Sequence, residues 1–180
     1  MRQLHSPHHN VRPNGVEIDL IVLHAISLPA GQFNPEYIEA LFTGQLDYTA
    51  HPDFDSLQGV RVSAHFVVDR AGDVMQFVAC NRRAWHAGES EWQGKSGCND
   101  FAIGIEMIGD ECNPFTTMQY RETARLCKTL MQRYPAITSE RIVGHQDIAP
   151  GRKWDPGKQW SWQHFRRSLG HIRHLKTGIV

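Results

Sequence analysis

The alternation of apolar and polar residues along the chain predicts short strands separated by helices. An apolar, β-branched run at 17–24 predicts a strand that ends on His24, and a shorter run at 141–145 predicts a strand that ends on His145. Between them, 61–79 contains two apolar runs joined by the turn residues "DRAGD", a pattern typical of an antiparallel hairpin.

A further strand is predicted at 101–109, where "FAIGIEMIG" alternates between large and small residues. Successive side chains of a strand point to opposite faces, so Glu106 shares a face with Ala102 and Gly104. We therefore expect a carboxylate in the middle of this strand, on a surface of small residues that a substrate could approach.

Three segments carry apolar residues at helical spacing. Helices are predicted after the capping residue Asn34, over 117–134 and from Ser161 onwards. The segments 45–59 and 81–100 lack any periodicity and predict loops. Strands interspersed with helices in 180 residues predict a single α/β domain in which helices flank a mixed central β-sheet.

Charge and composition narrow the range of partners. The 19 basic and 19 acidic residues cancel, so no overall field favours nucleic acid or anionic lipid. The basic tail at 166–176 is interpreted as the solvated face of a last helix. The first fifteen residues lack the apolar run of a secretory signal, and no window reaches transmembrane length. We expect a soluble cytoplasmic monomer with no nucleic-acid or membrane partner.

Candidate metal ligands lie at the ends of two predicted strands. Asp155 follows His145 by ten residues on the Pro- and Gly-rich loop "GHQDIAPGRKWDPG", and His24 ends the other strand. Sites are often built at strand ends in such sheets, and two imidazoles with one carboxylate suit zinc, with a fourth position open for water. Because the chain contains eleven histidines, spacing alone leaves other combinations open.

Six motifs occur in order along the chain: "VLHAISLPAGQF", "ALFTG", "RVSAHFVV", "RAWHAG", "CNDFAIGIE" and "GHQDIAPGRKWDPG". Together they resemble the motifs of the AmpD-type N-acetylmuramoyl-L-alanine amidases, zinc enzymes of bacterial cell-wall recycling. The resemblance extends from about residue 5 to about residue 167. It implies one zinc amidase domain over residues 1–180, with the mixed sheet that these amidases share with peptidoglycan recognition proteins.

The resemblance also implies a reaction and its residues. The substrate would be an anhydro-muropeptide, cut at the amide bond between (1,6-anhydro-)N-acetylmuramic acid and L-alanine of the stem peptide. His24, His145 and Asp155 would bind one zinc ion, and Glu106 and Lys153 would be catalytic. Asp155 stands where the recognition proteins carry cysteine, which indicates the bacterial branch of the superfamily.

Each implied role agrees with the chemistry of its residue. A zinc-bound water has a pKa near 7, and Glu106 would take its proton and pass it to the leaving amine. Lys153 would stabilise the oxyanion. Arg61 and Trp85 match relatives in "RVSAH" and "RAWHAG"; the guanidinium would bind a stem-peptide carboxylate, and the indole would cover sugar or peptide.

Two positions depart from the family pattern. Ala25 replaces the asparagine that usually follows the first ligand, and Gly97 stands where relatives often carry arginine, which leaves only Lys95 nearby. Two alternative functions remain open: a broader peptidoglycan amidase outside the cytoplasm, and a muropeptide-binding module without catalysis. The missing export signal argues against the first, and the complete set of ligands with Glu106 and Lys153 argues against the second.

Overall fold

The computed structural model describes residues 1–172 and contains ten strands within that range. In chain order they are β1 (Arg2–Gln3), β2 (His9–Val11), β3 (Leu20–Ile26), β4 (Phe66–Val68), β5 (Val74–Gln76), β6 (Arg82–Ala84), β7 (Glu91–Trp92), β8 (Lys95–Ser96), β9 (Ala102–Ile108) and β10 (Ile142–Gly144). Six of them form one sheet in the order β1-β5-β4-β9-β3-β10. Its neighbours are parallel except for the hairpin of β4 and β5, so the predicted mixed sheet and the hairpin are both confirmed.

Within residues 1–172, four α-helices accompany the sheet, and capping residues in the sequence explain where three of them begin. They are α1 (Pro35–Thr43), α2 (Thr117–Arg133), α3 (His145–Ile148) and α4 (Trp162–His171). The side chain of Asn34 caps α1, and that of Ser161 caps α4. Thr116 and Gln119 form a reciprocal capping box at the start of α2. All three predicted helices are confirmed.

Two apolar layers cover opposite faces of the sheet. On one face, α2 and α4 pack against alternating residues of the central strands: Ile21, Leu23, Phe66, Val68, Ile103, Ile105 and Met107. On the other face, α1 packs around Val67 of β4 and Ile108 of β9. The register places His24, Glu106 and Val67 side by side across β3, β9 and β4, on the face that carries α1. The sheet itself therefore presents an imidazole next to a carboxylate.

The ends of the two histidine-bearing strands differ from the prediction. β3 continues two residues beyond His24, because its parallel pairing with β9 continues to the pair Ile26 and Ile108. His145 does not end a strand either: it is the first residue of the one-turn helix α3, within a segment that the sequence predicted to have no helix.

The prediction of plain loops at 45–59 and 81–100 was wrong. A short 3-10 helix at Pro52–Leu57 buries Phe54. The second segment contains β6, the β7–β8 hairpin and a 3-10 helix at Cys98–Asp100. β6 pairs with β2 near the N-terminus. Contacts with residues that are distant in sequence therefore give this segment its structure, although it has no apolar periodicity.

The C-terminal segment is only partly described. Arg166 and Arg167 are exposed on α4, as predicted for the solvated face, while the rest of the basic tail from residue 173 lies outside the described residues. Within residues 1–172, no helix combines the length and apolarity that crossing a membrane requires.

Candidate active site

A cleft of about 300 Å³ lies on the face of the sheet that carries α1. Six of the seven site residues predicted from the sequence line this cleft: His24, Trp85, Glu106, His145, Lys153 and Asp155. Apolar side chains form much of the remaining wall: Ala25, Ile26, Leu41, Phe42, Leu57, Val60 and Val62. The cleft therefore combines a small cluster of titratable groups with an apolar surface, a combination typical of ligand sites.

Three buried side chains converge at the bottom of the cleft. Nδ1 of His24 and Nδ1 of His145 are 2.9 Å apart, and each lies 3.1 Å from Oδ2 of Asp155. Among the residues that the structure describes, these three form the one cluster of His, Cys, Asp or Glu suited to holding a metal ion. Strand β3 places the first, helix α3 the second, and the loop after α3 the third.

The triangle of donor atoms fits a zinc ion. Zinc in a tetrahedral protein site has bonds of about 2.0–2.1 Å, which separate neighbouring ligand atoms by roughly 3.3 Å. The observed separations of 2.9 and 3.1 Å are close to that value and leave one coordination position open toward the cleft. Both imidazoles present the same ring nitrogen to this point, so their Nε2 atoms remain free to carry the protons.

The protonation states of the cluster favour cation binding. Burial lowers the pKa of His24 to about 4, although its hydrogen bond with Asp155 opposes the shift, so this imidazole is neutral at pH 7. Burial alone would raise the pKa of Asp155, but hydrogen bonds with His145 and His24 outweigh it and lower the pKa. A neutral imidazole and an ionised carboxylate are the forms in which these side chains bind metals.

The contact on the far side of the His145 imidazole selects its Nε2–H tautomer, and the contact on the far side of His24 is compatible with the same tautomer. Nε2 of His145 lies 3.1 Å from the backbone oxygen of Ala87, and Nε2 of His24 lies 3.0 Å from Nδ1 of His86. If both Nε2 atoms donate a proton, both Nδ1 atoms are left as metal ligands. Partners of this kind orient metal-binding histidines and affect metal affinity.

Glu106 faces the cleft beside this cluster without a partner of its own. Its Oε2 is buried and forms no hydrogen bond with residues 1–172. Burial raises its pKa well above the ordinary value, the charge of Asp155 raises it further, and Lys153 opposes the shift. A carboxylate that retains unused hydrogen-bonding capacity and has a raised pKa is suited to accept a proton near neutral pH.

The space around Glu106 is smaller than the sequence predicted. A Cβ added to Gly104 would lie 2.4 Å from Cγ of His86, so the His86 ring rests directly on the strand at that position. The small residue therefore makes room for a histidine of the protein and leaves no surface for a substrate at Gly104. Access to Glu106 is from the cleft.

The loop that follows α3 is held in shape by its own backbone. The amide of Gln146 donates to the oxygen of Asp155, and the amide of Lys153 donates to the oxygen of Ala149. A Cβ on Gly144 would lie 2.8 Å from Cδ of Pro156, so only glycine fits there. These contacts bring Asp155 back to the histidines and leave Lys153 exposed at the edge of the cleft.

The two predicted substrate contacts are placed differently. Trp85 lines the cleft, and its Nε1 donates to Oδ1 of Asn10 at 3.1 Å. Arg61 is exposed and stands outside the lining, although its neighbours Val60 and Val62 belong to it. Ala25, the first departure from the family pattern, belongs to the lining, while its side chain packs against the core cluster on the opposite face of the sheet.

Two residues at or near the cleft were not indicated by the sequence. Trp154 lines the mouth and is 40% exposed, with its ring against the backbone of Gly157. Asn99 is buried behind the cleft, where its Oδ1 accepts hydrogen bonds from the amides of His86 and Ala87. The sequence offered one signal for Trp154, a large aromatic residue next to Lys153. It offered no signal for Asn99, which lies in a segment without periodicity.

Comparisons with known proteins agree with this geometry. A family model described as N-acetylmuramoyl-L-alanine amidase matches residues 14–158. The 1,6-anhydro-N-acetylmuramyl-L-alanine amidase AmpD of Haemophilus influenzae is 48% identical over 168 residues, which cover 93% of this chain and 91% of that protein. A crystal structure of a selenomethionine AmpD derivative has a TM-score of 0.90 at 45% identity and 93% coverage of both chains. The amidase AmiD from E. coli, solved with the substrate anhydro-N-acetylmuramic acid-L-Ala-D-γ-Glu-L-Lys, has a TM-score of 0.63 at 27% identity, covering 87% of this chain and 60% of that one. This chain therefore belongs to the N-acetylmuramoyl-L-alanine amidase family.

Proposed function

We propose that this chain is a zinc-dependent hydrolase that cleaves the amide bond between 1,6-anhydro-N-acetylmuramic acid and L-alanine of a muropeptide, in cytoplasmic recycling of peptidoglycan. The observation that carries the proposal is the triangle of His24, His145 and Asp155 beside the unpartnered carboxylate of Glu106 in one cleft. The names and substrates of the relatives AmpD and AmiD support the choice of amide bond.

His24, His145 and Asp155 would hold one zinc ion through Nδ1, Nδ1 and Oδ2. When bound, zinc supplies a Lewis acid for the scissile carbonyl and lowers the pKa of a coordinated water to about 7. The protein's part is to keep the His24 imidazole neutral through burial and to keep the Asp155 carboxylate ionised through its hydrogen bonds.

Glu106 would carry the proton through the reaction. Its carboxylate would take a proton from the attacking water and later deliver it to the nitrogen of the leaving alanine. Burial raises the pKa of Glu106, which makes its carboxylate a stronger base than an exposed glutamate and favours transfer of a proton from water. General acid–base catalysis of this kind contributes about 10²–10⁴-fold to the rate.

Lys153, Arg61 and Trp85 would act on the rest of the substrate. The exposed ammonium of Lys153 at the cleft stabilises the oxyanion that forms when water adds to the carbonyl. Trp85 offers an aromatic surface inside the cleft, and Arg61 offers a guanidinium beside it for a stem-peptide carboxylate. The cytoplasmic location and the monomeric state stay predictions from the sequence.

Incubation of the purified, zinc-loaded chain with an anhydro-muropeptide, followed by mass spectrometry, tests the proposal. We expect free stem peptide and free anhydro-N-acetylmuramic acid, and no cleavage after zinc is removed with a chelator. Muropeptide that binds but stays intact would instead support a binding module. Equal cleavage of intact peptidoglycan would support the broader amidase outside the cytoplasm.

A further inference from the structure

Two consecutive residues are the outer hydrogen-bond partners of the two histidines proposed as metal ligands. Nδ1 of His86 lies 3.0 Å from Nε2 of His24, and the backbone oxygen of Ala87 lies 3.1 Å from Nε2 of His145. The histidines themselves come from β3 and α3, which are 121 residues apart in sequence. The segment 86–87 is therefore the point at which the orientations of the two imidazoles are linked.

The direction of these hydrogen bonds follows from the ligand geometry. If the two Nδ1 atoms bind the metal, each Nε2 carries the ring proton and donates it outward. Displacement of His86 or Ala87 would remove the acceptor and allow the corresponding ring to rotate or to change tautomer.

A single side chain holds this segment in place. Oδ1 of Asn99 accepts from the amide of His86 at 3.0 Å and from the amide of Ala87 at 2.8 Å. Both partners are N–H donors, so the atom that faces them is the amide oxygen. Asn99 is 7% exposed, and its own backbone oxygen accepts from the guanidinium of Arg12, which is also buried.

The opposite side of the segment is equally constrained. The His86 ring rests on Gly104 so closely that a methyl group there would lie 2.4 Å from Cγ. The oxygen of Ala87 also accepts from the guanidinium of Arg152 at 2.7 Å. Strand β9, Arg152 and Asn99 thus contact the segment 86–87 from three sides. These contacts fix the positions of Nδ1 of His86 and the oxygen of Ala87.

We propose that Asn99 is a positioning residue of the metal site: through the amides of His86 and Ala87 it fixes the two acceptors that orient His24 and His145. Asn99 stands outside the triangle of His24, His145 and Asp155 and outside the lining of the cleft. This proposal rests on the metal site of the proposed function. It makes one residue of the Cys98–Asp100 turn responsible for the orientation of two ligands of that site.

Zinc affinity tests this role independently of turnover. Asn99→Leu keeps the volume and removes the acceptor, whereas Asn99→Asp keeps an oxygen acceptor for both amides. Ser90→Ala is the matched control: Ser90 is buried in the same segment and accepts from the amide of Cys98, a hydrogen bond that leads to no ligand. For each purified protein we would measure the zinc dissociation constant by competition with a chromophoric chelator, and the visible spectrum of the Co²⁺-substituted form.

We expect zinc binding about 10–100-fold weaker in Asn99→Leu, with an altered Co²⁺ spectrum, since loss of outer hydrogen bonds costs roughly that factor. Asn99→Asp should recover much of the affinity, and Ser90→Ala should match the parent. If Asn99→Leu does not fold, Asn99→Ser, whose short hydroxyl cannot reach both amides, should show the same direction.

An unchanged zinc constant and Co²⁺ spectrum in a folded Asn99→Leu or Asn99→Ser protein would overturn the proposal. Equal weakening in Ser90→Ala would also overturn it, because the effect would then belong to the whole segment. Failure of the parent to bind zinc would contradict the proposed function itself, which is a separate and distinguishable result.

Discussion

Replacing Glu106 by glutamine should remove most of the turnover and, at the same time, stabilise the metal-free protein. The substitution keeps the shape of the side chain and removes its charge. Oε2 of Glu106 is buried without a partner among the described residues, and burial and the charge of Asp155 raise its pKa. Above the ordinary pKa of 4.5 the unfolded chain releases the proton, while the folded protein retains it to higher pH. Ionisation of Glu106 therefore lowers the free energy of unfolding as pH rises. A glutamine at this position does not ionise, so the variant does not show this decrease.

Two magnitudes follow from this geometry. Removal of a general base lowers kcat by about 10²–10⁴-fold, or roughly 2.7–5.4 kcal/mol of transition-state stabilisation. For a protein of this size, each 1 kcal/mol of added stability raises the Tm by about 2–4 °C. Zinc binding should be unchanged, because Glu106 stands outside the triangle of His24, His145 and Asp155.

Three measurements on Glu106→Gln separate a catalytic role from a structural one: zinc content, cleavage of anhydro-muropeptide, and the Tm of the metal-free protein near pH 7. Glu36→Gln, an exposed carboxylate on α1, is the control and should leave all three unchanged. Full turnover would remove Glu106 from the mechanism. Loss of zinc would make it a ligand, and a lower Tm would show that its charge supports the fold.

Asp155→Ala should lose most of its zinc, because the only carboxylate of the ligand triangle is removed. The control Asp147→Asn keeps an acceptor for the amide of Gly144 and should retain its zinc. Metal analysis of both proteins checks this, and stoichiometric zinc in Asp155→Ala would be inconsistent with the role of Asp155 as a ligand. Trp154→Ala should raise KM with kcat unchanged if the exposed indole binds ground state and transition state alike, and steady-state kinetics that show a lower kcat instead would contradict this. Burial and the charge of Arg12 lower the pKa of His65 from 6.5 to about 3. As pH falls below 6.5, His65 therefore becomes protonated in the unfolded chain but stays neutral in the folded protein. The free energy of unfolding of the metal-free parent should then fall by up to about 1.4 kcal/mol per pH unit for this group, and an equal slope between pH 6 and 4 in His65→Gln would disprove the assignment.

Sequence-based prediction succeeded where the signal was local. The helix α2 was predicted because Thr116, its cap, and the apolar spacing behind it lie within a few turns of each other. The β4–β5 hairpin was predicted because two β-branched runs flank a turn that contains Gly72, which has a positive φ of 89°. Such patterns depend on hydrogen bonds and burial within one element and its immediate neighbour.

Prediction failed where order depends on contacts that are distant in sequence. The segment 81–100 was expected to be a loop, yet β6 pairs with β2, and the buried guanidinium of Arg12 donates to the backbone oxygens of Asn99, Asp100 and Ala102. The strand β3 was expected to end at His24, but parallel pairing with β9 extends it to Ile26. Periodicity carries no information about such partners.

The sequence by itself determined which residues are available for the chemistry of this protein. The resemblance of its motifs to the amidase family predicted His24, His145 and Asp155 as ligands and Glu106 as a catalytic residue, whereas spacing alone left other histidines open. Only the tertiary structure decided which nitrogen of each imidazole faces Oδ2 of Asp155 and which groups contact the far side of each ring. Those choices depend on distances of about 3 Å between atoms on β3, α3 and the segment 86–87, and elements remote in sequence reach such distances only when the sheet and its surrounding segments pack together.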